Sequence, residues 1–452
     1  MQTPSPRSDS IENAITEIAQ SSSYYDETPP SEVIDLEDQV PNLPPIWPGQ
    51  APTIAVIGVG YVGEHLVNAF SKHFRVIGFD VSADRIRKLT LESKSGAIFT
   101  SQTSTIVSAT HFLIAVPTLL LPNQQVDSSY LRQAITVVAK YARPGSTVVI
   151  ESSVAVGMTR ELLGPLAKEK NFHAGMSPER VDPGRVTPPA SSIPKVISGL
   201  DDVVAGSTDA IADLYEQGFE KVVRVSRPEV AEMMKLYENC QRMVCIAYAN
   251  EMADACRHHG IDPFEVCRAA ATKPFGYMPF SPGIGVGGHC IPVNPFYLLS
   301  NSDFPLLQNA AEKMRARPGN LAQRIIDRLH RGPATGNPPP RVLIAGIGFK
   351  PGQSHLANSP SLELAKSLVV SGQVFVMWTD PLVVQTAVPQ IQRLDNGNWS
   401  QAYLVENFDY VIAAMRQTGL DFDVLHGLPA GMVEWWFDTP PRALHAKGTE
   451  YL

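Results

Sequence analysis

One stretch limits the possible folds of this chain more than any other. Ile54-Ala55-Val56-Ile57 is a short β-branched run, and Gly58-Val59-Gly60-Tyr61-Val62-Gly63 follows it directly. A helical pattern then runs through Leu66, Phe70 and Phe74, and Arg75–Phe79 is a second strand ending on Asp80. Strand, GxGxxG, helix, strand and acid is the order a dinucleotide site requires. Gly58 makes the tight turn, Gly60 lets backbone N–H groups reach a pyrophosphate, and Gly63 lets helix and strand pack closely. Asp80 lies 20 residues beyond Gly60, where a carboxylate accepts from both ribose hydroxyls and repels a 2′-phosphate. NAD is therefore favoured over NADP. Tyr61, Val62 and Arg85 are assigned to the same cofactor set.

Further strands are expected at His111–Val116, Thr147–Ile150 and, more weakly, Phe172–Met176. Ligands of open α/β sheets sit at the carboxyl ends of strands, which puts Thr118, Glu151 and Ser153 at the cofactor crevice. Pro188–Pro194 reads as a loop. Ser226-Arg227-Pro228-Glu229 is a capping-box start for a helix running to His259 before Gly260. Its apolar positions (Val230, Met233, Met234, Tyr237, Met243, Val244, Ala247, Met252) are too wide for one face. The helix is expected to be buried on several sides, partly by another subunit. Lys235 and Asn239 stand one turn apart on a shared face. A lysine inside such a helix is costly unless a ligand or partner uses it.

Residues 261–280 are expected to continue helical and lead into Pro282-Gly283-Ile284-Gly285-Val286-Gly287-Gly288-His289-Cys290. Four glycines within six residues suit a loop, Gly287 among them, whose backbone approaches a ligand closely. That loop delivers Cys290, either a nucleophile or a buried structural thiol. His289 reads as a loop residue pointing outward. A helical region over about 304–331 precedes a Pro- and Gly-rich linker at 332–340. A smaller α/β domain follows, with strands at 341–348 and near 373–378, 410–414 and 433–437. It shows neither a full GxGxxG nor the following acid, so it is expected to bind something other than a second NAD.

At 452 residues the chain is too long for one core. A hydrophobic share of 44% and a charged share of 18% are those of a soluble globular protein. No apolar run approaches bilayer length, so no membrane partner is expected. Five cysteines without a CxxC pair suit reduced thiols in the cytoplasm, and no metal site is expected. The net charge of −8 argues against nucleic acid. It resides in residues 1–50, where one Arg and nine Asp/Glu accompany eight prolines. That segment reads as a disordered acidic arm, with a short helix possible at 11–18 and Trp47 near the first domain. The expected order is arm 1–50, NAD-binding domain 51–225, central helical domain 226–331, linker 332–340 and C-terminal domain 341–452.

Taken together, these residues resemble the UDP-glucose/GDP-mannose dehydrogenase family, most closely its UDP-N-acetylhexosamine (UDP-GlcNAc and UDP-ManNAc) 6-dehydrogenase branch. The resemblance covers about residues 53–445. It is carried by Gly58–Gly63, Ser152-Ser153-Val154, Ser177-Pro178-Glu179-Arg180-Val181, Lys235-Leu236-Tyr237-Glu238-Asn239 and Gly287–Val293. It implies an α/β fold with an N-terminal Rossmann domain, a central helical dimerisation domain and a Rossmann-like domain for the nucleotide sugar. It also implies a four-electron oxidation of a sugar CH2OH to a carboxylate with two NAD, in a homodimer or higher homo-oligomer. Cys290 would attack the intermediate aldehyde, and Lys235 and Asn239 would stabilise oxyanions. Glu179 would assist proton transfer or water activation, and Ser153 would position the water. Arg180, Tyr277 and Lys350 would join Glu179, Lys235, Asn239 and Gly287 around the UDP-sugar. Where the family places an aspartate four residues after the cysteine, this chain has Asn294, and an amide cannot take up a proton at pH 7. A second expectation is therefore a catalytically weakened relative that still binds NAD and a sugar nucleotide. A different NAD enzyme of similar layout, needing no cysteine nucleophile, is the third.

Overall fold

A computed structural model describes residues 43–46, 49–182, 184–185, 187–330 and 338–439. Most of the expected acidic arm, the helix at 11–18, Trp47 and residues 332–337 of the expected linker lie outside the described residues. The chain divides into two compact units. One takes Tyr25–Cys240 with Val293–Phe304, the other Gln241–Pro292 with Pro305–Leu452, each through its described residues.

The first unit is built on strands β1 (Thr53–Ile57), β2 (Arg75–Phe79), β3 (Ile98–Thr100), β4 (His111–Ile114), β5 (Thr147–Ile150), β6 (His173–Met176), β7 (Lys195–Gly199) and β8 (Val222–Arg224). They form one sheet in the order β8-β7-β6-β5-β4-β1-β2-β3. Every neighbouring pair is parallel except β6–β7. Parallel strands are buried on both faces, which explains their near-continuous apolar runs. Along β1, Ala55 and Ile57 enter one core cluster and Ile54 and Val56 the other, the period-2 alternation of a strand. The order reverses between β1 and β4, and that switch point is where open sheets bind ligands.

Helix α1 spans Tyr61–Phe70 and does not reach Phe74 as predicted. Ser71 caps it through its N–H to Val67 O, and Phe74 folds back, partly buried, against the same core. The expected helix over 261–280 forms only over Pro263–Ala271. Lys273 precedes Pro274, a position that disfavours helix, and Gly276 takes φ +74°. The long helix, α2, runs Pro228–His258. Of its predicted core positions, Met243 and Ala247 are buried, whereas Val230, Met233, Tyr237 and Met252 are exposed on the single chain.

In the second unit, strands β9 (Arg341–Ala345), β10 (Phe375–Thr379), β11 (Tyr410–Ala413) and β12 (Val433–Trp435) form an all-parallel sheet, β10-β9-β11-β12. Helix α3 (Pro305–Leu329) packs on α4 (Pro360–Val370) beside it. The acid thought missing here is present. Asp380 follows β10, fully buried, and its Oδ2 accepts the N–H groups of Ile347 (3.1 Å) and Gly348 (3.2 Å). The longer excursion between β9 and β10 hid it from a 20-residue spacing rule. Gln417 Nε2 also donates to that oxygen, so the carboxylate braces the turn.

Gly346 shows how tightly that turn is built. It takes φ +84°, and a Cβ there would lie 2.1 Å from Met415 O. Gly346→Ala is expected to destabilise the protein by about 3 kcal/mol or more. Gly372→Ala, at φ +63° with nothing within 4 Å, should lose only about 1 kcal/mol. Thermal unfolding of both variants checks this, and equal losses would show that the contact with Met415 is not limiting.

Candidate active site

The turn after β1 closes against the loop after β4. Gly58 has φ +87°, and a Cβ there would meet Ala115 O at 2.8 Å; one on Gly63 would meet Gly58 O at 1.9 Å. A Cβ on Gly60 would meet nothing within 4 Å. Two of the glycines thus serve packing, while Gly60 faces open space at the start of α1, whose N-cap has no side-chain bond. Uncapped N–H groups beside open space suit a pyrophosphate. Asp80 Oδ2 accepts Val59 N and its Oδ1 accepts Ser82 N, both at 2.9 Å, which leaves each oxygen a further lone pair. Arg85 spans the turn, with Nε donating to Val59 O (2.7 Å) and an Nη pairing with Glu64 (2.7 Å). Tyr61 is exposed, its hydroxyl 3.3 Å from Asp182 O, and Val62 is half-buried. Thr118 and Ser153 are half-buried in the loops after β4 and β5.

Glu151 differs from its expected place at the crevice. It directly follows β5, but its side chain is fully buried. Lys195 Nζ lies 2.5 Å from its Oε2, and the Tyr215 hydroxyl donates to its Oε1. A carboxylate at the end of a central strand is better stabilised by an internal cation than left half-solvated. The same ammonium stands 3.2 Å from Glu179 Oε2. Glu179 Oε1 accepts the N–H groups of Arg180 (2.5 Å) and Val181 (2.6 Å). Burial pushes the Glu179 carboxyl up, but Lys195, Lys235 and the two N–H groups outweigh it and hold the group below the ordinary range. Burial dominates at Glu151, which is pushed up to about 7 despite Lys195. A proton taken up by this cluster near neutral pH therefore settles on Glu151.

Helix α2 lays a polar stripe across the ends of β5 and β6. Glu232, Lys235 and Asn239 share one face by their i, i+3, i+7 spacing, and all three are buried. Glu232 accepts Gly157 N (2.6 Å) and Thr159 N (2.9 Å), capping the helix Met158–Lys170. Lys235 Nζ donates to Glu179 O, and Asn239 Nδ2 donates to Asn294 Oδ1 at 2.5 Å. Arg180 pairs with Glu238 at 2.5 Å and donates to Pro194 O. Sequence reasoning missed Lys195, Tyr215 and Glu232. Glu232 was findable from its spacing to Lys235, whereas nothing local marks Lys195 or Tyr215.

In the second unit, the loop before Cys290 is stitched down along its length. Gly283 N donates to Asn250 Oδ1 (2.8 Å), and Gly283 O accepts Arg317 Nε (3.1 Å). Gly288 N donates to Ala357 O, and Asn358 Nδ2 donates to Gly288 O, both at 2.9 Å. A Cβ on Gly287 would meet Phe349 Cβ and Pro360 Cδ at 2.9 Å. Glycine at 287 thus permits close packing against Phe349 and Pro360. Cys290 is half-buried and, like the other four cysteines, free; His289 is exposed. Tyr277 and Lys350 are half-buried in the same unit. Among the described residues, no group of three or more His, Cys, Asp or Glu could hold a metal, and no helix is long and apolar enough to cross a membrane.

Residues 90–219 match the NAD binding domain of the UDP-glucose/GDP-mannose dehydrogenase family, and residues 229–313 match its central domain. A UDP-N-acetyl-D-glucosamine 6-dehydrogenase of Pseudomonas aeruginosa is 32% identical over 363 residues, covering 72% of this chain and 82% of that one. The chain belongs to the UDP-glucose/GDP-mannose dehydrogenase family. A UDP-N-acetyl-D-mannosamine dehydrogenase of Salmonella typhi is also 32% identical, over 72% of this chain and 85% of its own. A solved UDP-D-ManNAc dehydrogenase from Pyrococcus horikoshii aligns with a TM-score of 0.70 at 27% identity, over 81% of this chain and 90% of that one. This family member is an NAD-dependent nucleotide-sugar dehydrogenase of the N-acetylhexosamine branch.

The open space at Gly60 makes a direct test of the cofactor turn. Gly60→Val should leave the unfolding midpoint within about 2 °C, since its Cβ meets nothing, yet weaken NAD binding at least ~10-fold by filling the space. Isothermal titration with NAD decides it, and unchanged affinity would refute the assignment.

Proposed function

We propose that this enzyme oxidises the C6 alcohol of a UDP-N-acetylhexosamine to a carboxylate, with Cys290 as its nucleophile. The reading is carried by one observation: Lys235 and Asn239, one helical turn apart, are both buried, and Asn239 bonds Asn294, four residues beyond the cysteine. NAD, when bound, accepts the hydrides of both oxidation steps. Lys235 and Asn239 donate to the substrate oxygen as negative charge develops on it. Cys290 Sγ adds to the aldehyde carbon as thiolate, giving a thiohemiacetal. After the second oxidation the carbon is held as a thioester, which water hydrolyses to the carboxylate while the thiol is regenerated. Ser153 orients that water. Arg180, Tyr277, Gly287 and Lys350 complete the UDP-sugar contacts. Free thiols suit a reducing compartment, which supports a cytoplasmic reaction.

Asn294 motivates the second reading, a weakened enzyme. Its side chain is buried and its oxygen already accepts from Asn239, so the position expected to hold a base holds a neutral hydrogen-bond partner. NADH formation with UDP-GlcNAc, UDP-ManNAc and UDP-glucose is the test. The wild type should exceed a Cys290→Ser control with an acetamido sugar. Asn294→Asp should then raise kcat on the order of 10²-fold if only the base is lacking. No NADH above the control from either form would eliminate the dehydrogenase reading.

Val230, Met233 and Tyr237 lie exposed at i, i+3, i+7 spacing along α2, which supports a homodimer formed through this helix. Light scattering is expected to give twice the 49.2 kDa chain mass. The double variant Met233→Glu/Tyr237→Glu should fall to the single-chain mass. A wild-type monomer would exclude the assembly.

A further inference from the structure

The catalytic roles proposed above leave the buried cation Lys195 unused. Lys195 is 2% exposed at the first position of β7, an unfavourable place for an ammonium. It bridges Glu151 and Glu179 and lies 5.6 Å from the Phe219 ring centroid. The contacts run in sequence: the Tyr215 hydroxyl on Glu151, Glu151 on Lys195, Lys195 on Glu179, and the Glu179 carbonyl on the Lys235 ammonium. One ion deep in the sheet is thus linked, through a single residue, to the lysine assigned to the substrate oxygen.

We propose that Lys195 is a positioning residue, whose ammonium pins the Glu179 carboxylate as a fixed negative charge and thereby sets where Lys235 stands. Glu179 is then an anchor and not the proton carrier that its motif suggests. Its Oε1 is occupied by two backbone N–H groups and its Oε2 faces Lys195, so both oxygens are committed. The charged and titratable groups around it are Lys195 on β7, Glu151 just after β5, Tyr215 after β7, Lys235 on α2 and Tyr61 on α1. Of these, Lys195 is the largest influence favouring the ionised form, and burial opposes it.

The sign follows directly. A carboxyl held low by a neighbouring cation rises when that cation is removed, and burial then favours the acid. The inference rests on the role proposed for Lys235, so its test needs a readout free of turnover. In protein labelled with [13Cδ]glutamate, the Glu179 resonance is the one missing from Glu179→Gln. Its titration midpoint should lie below the ordinary carboxylate range in the wild type. It should rise by at least one pH unit in Lys195→Met and return most of the way in Lys195→Arg. An unmoved midpoint in a folded Lys195→Met protein would overturn the proposal. Should Lys195→Met fail to fold, Lys195→Met/Glu151→Gln, which restores the local charge balance, carries the same comparison against Glu151→Gln. In an active enzyme the acidic limb of kcat/KM should move upward in parallel, with KM for NAD within two-fold. A wild type that forms no NADH would sink the proposed reaction and leave the resonance shift to decide on Lys195.

Discussion

An ammonium sealed inside a parallel sheet is tolerated only with carboxylates around it, and Lys195 has two. This pairing is the constraint on which the site geometry rests. Removing Lys195 would leave two adjacent carboxylates in a medium that cannot solvate them, so the ammonium holds both side chains in place. Glu151 is consequently turned inward from the crevice where a strand-end carboxylate would otherwise stand. Glu179 is fixed next to it, and its carbonyl becomes the acceptor for Lys235.

The first turns of α2 extend the same logic outward. Their buried face carries an acid, a cation and an amide in succession, and each finds its partner on a different segment of the first unit. Glu232 satisfies the N–H groups at the start of a helix, Lys235 a loop carbonyl, and Asn239 the amide of Asn294. A helix so fastened cannot slide or rotate by one residue without orphaning several buried polar groups at once. That rigidity suits the role proposed for Lys235 and Asn239, which is to meet a developing charge without reorganising. The opposite side of these turns is apolar and exposed on the single chain, a division of labour along one element.

The two sheets also show one device put to two uses. Asp80 and Asp380 each follow the second strand of their unit and accept backbone N–H groups from the turn after the first. Asp80 is half-buried and accepts a single N–H on each oxygen, from Val59 and Ser82. Asp380 is fully buried, with Oδ2 accepting from Ile347, Gly348 and Gln417 and Oδ1 from Leu382 N, so it braces the second turn. An acid at the same topological position therefore need not serve the same purpose; accessibility decides.

Local patterns sufficed for much of this protein. The first strand, turn, helix and acid, the span of the long helix and the strands of the smaller sheet were legible because their signals lie within a few turns of chain. The motifs around Glu179, Lys235 and Cys290 likewise disclosed the family. Local signals failed where partners come from distant segments. Lys195 begins a short strand whose charge looks like a surface residue until Glu151, 44 positions earlier, is placed beside it. The inward turn of Glu151, the protein-filled flank of Gly287 and the acid at 380 share that origin. Residue order was enough to specify most of the elements and the functional groups they carry. Which charges end up buried together was settled only on folding, because desolvation depends on what surrounds a group in space and not on its neighbours along the chain.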